Sequence, residues 1–113
     1  MYDYVSIHSK NYAEKVKAEI LEKFLVGNLG FEKISHLKFS KELCGEWIGI
    51  TGISASLEGN YAFFTLEGIE EVNVVEIDLP ESVNKNLERV ISDIAVAISN
   101  EFAWVIDEDH GLS

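Results

Sequence analysis

Apolar residues recur along this chain in two rhythms, one of period two and one of helical spacing. Residues 2–7 alternate, with Tyr2, Tyr4 and Ser6 on one side and Asp3, Val5 and Ile7 on the other, which predicts a first strand. The pattern then changes. Tyr12, Val16, Ile20 and Phe24 fall four apart, and Leu21 and Leu25 widen the stripe, as on the buried face of an amphipathic helix. Asn11 followed by Glu14 reads as a capping box at its start, and Gly27 and Gly30 mark its end. Lys10, Lys15, Lys17 and Lys23 belong to its solvated side.

Alternation resumes over residues 31–39, where Phe31, Lys33, Ser35, Leu37 and Phe39 oppose Glu32, Ile34, His36 and Lys38. Further strands are predicted over residues 47–57, 61–66 and 72–79, with Gly59 and Gly68 placed for tight hairpins. Pro80 suits the first turn of a second helix, whose spacing is kept by Val83, Leu87, Val90, Ile91, Ile94 and Ile98 to about Asn100. Residues 103–106 form a short apolar run, read as a last strand before a polar tail. The expected order is β-α-β-β-β-β-α-β in one α+β domain spanning residues 1–113. In it, two amphipathic helices cover one face of a mostly antiparallel sheet. At 113 residues, with almost half of them apolar, the chain can bury a core without disulfide or metal staples.

Charge adds what the pattern leaves out. Residues 1–41 carry seven lysines against five acids, whereas residues 42–113 carry fifteen acids against Lys85 and Arg89. The net charge is −11, concentrated in the second part of the chain. A negative field repels nucleic acid and anionic membrane and attracts a cationic protein. No apolar stretch approaches the ~20 residues that span a bilayer. The first residues lack a basic segment followed by an apolar block. Together with a lone cysteine, this gives the expectation of a cytoplasmic chain.

The residues offer little for catalysis. Glu76 and Asp78 lie two apart and so share a strand face, but paired-carboxylate chemistry needs a cleft, and a sheet this small has little room for one. Asp107, Glu108, Asp109 and His110 are consecutive and converge poorly on one ion. His8, His36 and His110 are scattered without zinc spacing. Cys44 lies between Glu42 and Glu46, surroundings ill suited to a thiolate nucleophile, and reads as partly buried and inert. Gly45, Gly49 and Gly52 match no phosphate-binding loop; in a strand such glycines mark a bend or a close approach. The expectation is a non-enzyme without metal or cofactor.

Surface recognition is the alternative. Glu67, Glu70 and Glu71 precede Glu76 and Asp78 in sequence, and Asp107 and Asp109 close the chain. Should the last strand pair near the fourth or fifth, these acids form one patch. Trp47 and Trp104 both fit core positions. Trp104, beside the acidic end, is the better candidate for an exposed anchor.

A small acidic α/β chain without catalytic motif, ending in Ala103-Trp104-Val105-Ile106-Asp107-Glu108-Asp109, resembles the immunity proteins that protect bacteria from contact-dependent and polymorphic toxins. The resemblance lies in overall style across the whole chain. It implies a non-enzymatic inhibitor that occludes a cognate cationic toxin domain, frequently a nuclease. The expected partner-binding residues are Glu67, Glu70, Glu71, Glu76, Asp78, Trp104, Asp107 and Asp109. Two other readings stay open. One is an acidic regulatory or nucleic-acid-mimic module. The other is a small-ligand domain with a pocket lined by Phe39, Phe63, Phe64 or Trp47 between helices and sheet.

Overall fold

The computed structural model describes residues 4–55, 69–80 and 83–107. They form an α+β domain with an antiparallel six-stranded sheet, a two-stranded sheet and two helices. The elements are β1 (Tyr4–His8), β2 (Val16–Lys17), α1 (Ala18–Lys23), β3 (Glu32–Ser35), β4 (Lys38–Leu43), β5 (Glu46–Ile53), β6 (Glu71–Val72), β7 (Val74–Asp78), α2 (Lys85–Phe102) and β8 (Val105–Asp107). The large sheet has the order β3-β4-β5-β7-β1-β8, and β2 pairs with β6. The last strand therefore lies at an edge, beside the first. The expected strand over residues 61–66 and the glycine turns at Gly59 and Gly68 fall outside the described residues.

Period-two alternation divides the large sheet into two faces. Ile7, Val75, Ile77, Ile50, Ile48 and Phe39 point to one side and merge with Leu21 and Leu25 of the first helical segment and with Leu87, Ile91, Ile94 and Ile98 of α2 in a single buried cluster. Phe24 meets Phe102 edge to face at 5.7 Å, so the two helical segments touch over this face. Gly52 belongs to the same side. A Cβ there would lie 2.9 Å from Leu21 Cδ2 and 3.1 Å from Leu37 Cδ2, so the first helix is seated where the sheet has no side chain.

Several local expectations are corrected. The first helix does not start at Asn11. Asn11 and Tyr12 both have φ of 56°, in a 3-10 turn, and residues 16–17 are taken into a strand before the helix begins at Ala18. Asn tolerates the left-handed region, so the capping-box pattern is spent on a turn. The helix then widens into a π-helical turn, Phe24–Asn28, where the Leu29 N–H donates to the Phe24 carbonyl. Lys41 Nζ donates to the Leu29 carbonyl at 2.8 Å and closes that end. The run over residues 31–39 is two strands, folded at His36 and Leu37, the latter at φ 62°. His36 Nε2 holds this turn against the Ile69 carbonyl at 2.6 Å. A second hairpin turns at Cys44 and Gly45, with φ of 52° and 84°, the two-residue geometry with both central residues left-handed. Cys44 is exposed there rather than partly buried.

Pro80 does not open α2. The cap is Asn84, whose side-chain oxygen accepts from the Leu87 N–H at 2.8 Å. At the other end Ala103 adopts φ 58° and the Trp104 N–H donates to the Ser99 carbonyl, a Schellman closure.

The bend between β6 and β7 is made by Asn73, which is completely buried. Its N–H donates to the Ile53 carbonyl and its carbonyl accepts from the Ser9 N–H. Its side chain accepts from the Ala55 N–H at 2.8 Å and donates to the carbonyls of Ala55 at 3.0 Å and Tyr12 at 3.1 Å. Replacing Asn73 by Ala strands these groups. At about 1–3 kcal/mol for each buried group left unsatisfied, the three partners imply a loss of about 3 kcal/mol or more, read from the urea midpoint at constant slope. Ala103→Gly should act in the other direction. Relief of a left-handed Cβ is worth about 1 kcal/mol, and the same titration should show the midpoint rising.

Candidate functional site

The face turned away from the helices is built differently. Its rows follow from the strand register. One row runs Ser35, Lys38, Thr51, Glu76, Ser6, Asp107 across all six strands. The next row places Tyr4 opposite Asp78, and Ser40 opposite Gly49. A Cβ on Gly49 would lie 3.3 Å from Asp78 Oδ2, so the Asp78 carboxylate leans across β5 into the space a side chain would fill. One row further on, Trp47 stands opposite Glu42. Small and polar residues thus occupy the middle of the face, with carboxylates set among them.

Glu76 and Asp107 flank Ser6 from its two neighbouring strands. At ~4.8 Å per strand spacing they stand about 10 Å apart. Asp78 lies on the same face as Glu76, two residues along β7. Tyr4, Glu76, Asp78 and Asp107 each interact with neighbouring groups.

The far end of the face is apolar and closed. Ile53, Ala55 and Val74 form a second buried cluster beneath Tyr12. The left-handed backbone at Tyr12 brings its ring onto His8, stacked at 4.4 Å. His8 Nδ1 is 2.9 Å from the Ser9 carbonyl, which fixes that nitrogen as the donor and the ring's orientation. Burial, and after it the Asp107 carboxylate, push the Tyr12 phenol above its ordinary 10.0.

Of the expected binding residues, Glu76, Asp78 and Asp107 come together on this face. Glu70 and Glu71 do not join them. They lie beyond the Asn73 bend, at the opposite end of β7 from Asp78, and Glu71 sits directly across from Lys17 in the small sheet. Glu67 and Asp109 lie outside the described residues.

Trp104 is a correction. It is only 4% exposed, packs 5.2 Å from the Phe102 ring and has its carbonyl held by Ser99 Oγ. The Schellman closure of α2 folds it into the core, so it presents no anchor. Trp47 has the reverse fate: it is 65% exposed. Its strand alternates Trp47, Gly49 and Thr51 against Ile48, Ile50 and Gly52, and that alternation was the available signal. Of the described residues suggested as a pocket lining between helices and sheet, only Trp47 is misplaced. Phe39 is core, and Trp47 is on the other side of the sheet. Phe63 and Phe64 lie outside the described residues.

Among the described residues, no three of His, Cys, Asp or Glu converge as a metal-ligand group, and no helix is long and apolar enough to cross a membrane. The chain matches no family model, no curated protein and no solved structure. Among the described residues, the fold and the surface define an α+β domain with one helix-covered and one helix-free sheet face, the second carrying aligned carboxylates and an exposed indole.

The Tyr12 environment makes a pH prediction. A phenol whose folded value is raised keeps its proton after the unfolded chain has lost its own. The folded state then binds more protons, so stability falls as pH rises past about 10. Tyr12→Phe should show a flatter alkaline decline in urea midpoints between about pH 9 and 11. Asp107→Asn should remove a smaller part of the slope.

Proposed function

We propose that this chain is a non-enzymatic immunity protein whose helix-free sheet face docks a cationic toxin domain, a nuclease being the class whose groove is most basic. The observation that carries this reading is the alignment of Glu76, Asp78 and Asp107 on β7 and β8, side by side across β1, on the face with the exposed Trp47.

Electrostatics favours a cation as the occupant. Two carboxylates about 10 Å apart repel by about 0.4 kcal/mol in water, but by about 1.7 kcal/mol at an effective dielectric constant near 20. A neutral partner covering this face would raise the repulsion by removing water. A basic partner replaces the water with countercharge. A nuclease must hold phosphate, so its groove offers lysines and arginines to such a surface. An inhibitor seated there excludes substrate without chemistry of its own. Long-range attraction also speeds encounter, to about 10⁸–10⁹ M⁻¹s⁻¹ at low salt against a neutral rate nearer 10⁵–10⁶.

Co-expression with cationic toxin domains encoded beside its gene is the direct test, read as survival of the host. With a protected pair in hand, Glu76→Lys, Asp78→Lys and Asp107→Lys combined should slow association at low salt by about tenfold or more and flatten its salt dependence. Association as fast as that of the unaltered chain would take these carboxylates out of the interface. Protection from no cationic domain would remove the immunity reading.

A further inference from the structure

The helix-free face contains one feature that net charge does not require. Trp47 is the most exposed large apolar side chain among the described residues, and the next two residues of its strand on that face are glycine and threonine. Glu42 lies directly across from it on β4 and is exposed, as is Glu46 next to it. The next position on the same side of β5 is Gly49, over which the Asp78 carboxylate leans. The indole is therefore bracketed by carboxylates, Glu42 beside it and Asp78 about 7 Å further along the strand. No side chain rises from the position between Trp47 and Asp78.

We infer that Trp47, Glu42 and Asp78 form a seat for an arginine of the basic partner. The inference rests on the docking face proposed above and names the partner group that the face takes. A guanidinium is planar and weakly hydrated. It can lie flat on an indole while its edge donates to a carboxylate, so ring and acids act on one side chain at once. A lysine ammonium is a compact, strongly hydrated charge that would satisfy the carboxylates and gain little from the ring. Gly49 carries no side chain of its own, which brings the Asp78 carboxylate onto β5 on the same face as the Trp47 ring. Exposed tryptophan beside desolvated charge is also the usual composition of an interface hot spot.

Octa-arginine and octa-lysine peptides serve as probes, because they carry the same formal charge and differ in the group that stacks. Binding is measured by calorimetry at low salt to the full chain and to its Trp47→Ala, Trp47→Phe and Glu76→Lys/Asp78→Lys forms. The unaltered chain should bind octa-arginine about fivefold or more tightly than octa-lysine, and Trp47→Ala should bring the two within about twofold of each other. Trp47→Phe should retain part of the preference. Far-UV circular dichroism checks each variant for folding; Trp47 lies outside the core, so its loss leaves packing intact. If Trp47→Ala keeps the full arginine preference, or the unaltered chain shows none, the seat is overturned. If charge reversal weakens both peptides while Trp47→Ala changes neither, only the seat fails and the docking face stands. If charge reversal leaves both peptides bound as before, the docking face fails with it.

Discussion

A single buried amide sets the geometry on which both faces of this domain depend. Asn73 stands where the chain leaves the small sheet and enters the large one, and it spends every backbone and side-chain hydrogen-bonding group on a neighbour. Its side chain treats Ala55 as a strand would, accepting from its N–H and donating to its carbonyl. Its backbone ties Ile53 at the end of β5 to Ser9 at the end of β1. Because side chains alternate strictly in a strand, a slip of one residue in β7 would turn Val75 and Ile77 out of the core and Glu76 into it. The amide thus fixes register, and register decides which carboxylates reach solvent. Burying so polar a group is tolerable because none of its hydrogen-bonding capacity is left unmet.

That register gives the sheet two unlike faces. The helix side is branched and aromatic, and closes around Leu21 and Ile98. On the other side small residues, Gly49, Ser40, Thr51 and Ser6, lie among the carboxylates of Glu76, Asp78 and Asp107 and the ring of Trp47. Gly49 and Gly52 serve opposite faces of one strand. The first admits the Asp78 carboxylate and the second admits Leu21. The same economy of side-chain volume seats the first helix on one side and the Asp78 carboxylate on the other.

Much of this architecture was legible in the sequence, and the failures share a cause. α2 announces itself because its stripe is long and regular, and the core residues of β1, β5 and β7 follow from alternation. What was misread are places where backbone conformation departs from residue preference. Asn11 and Glu14 have the spacing of a helix start, yet Asn11 and Tyr12 turn left-handed because stacking on His8 and the bond from Asn73 hold Tyr12 over the sheet. Leu37 and Cys44 also take positive φ, where a sequence reader looks for glycine or asparagine, so both hairpin turns passed unseen. The site was legible in part for the same reason. Glu76 and Asp78 share a face by spacing alone. Asp107 joins them through the pairing of β8 with β1, and Glu71 leaves them through the bend at Asn73, long-range facts that no local pattern contains.

The two tryptophans exchange the roles that their sequence positions suggest. Trp104 lies next to the acidic end of the chain, and proximity in sequence made it the natural anchor. The Schellman turn at Ala103 reverses the chain there and drives the ring under α2, where burial outweighs the left-handed strain. Trp47 opens an apolar segment, yet its neighbours Ile48 and Ile50 take the core side and leave it in water. Nothing in the packing requires a large aromatic there, since a threonine or lysine would suit an exposed strand position equally well. An indole largely held in solvent among carboxylates returns little of the folding energy that a buried one would. Its place is therefore understood through what can cover it: a flat cation, which uses the ring's face and the carboxylates' charge together. In the proposed docking, the negative field is what would draw a basic protein to this side of the sheet, and the ring is what would select among basic groups.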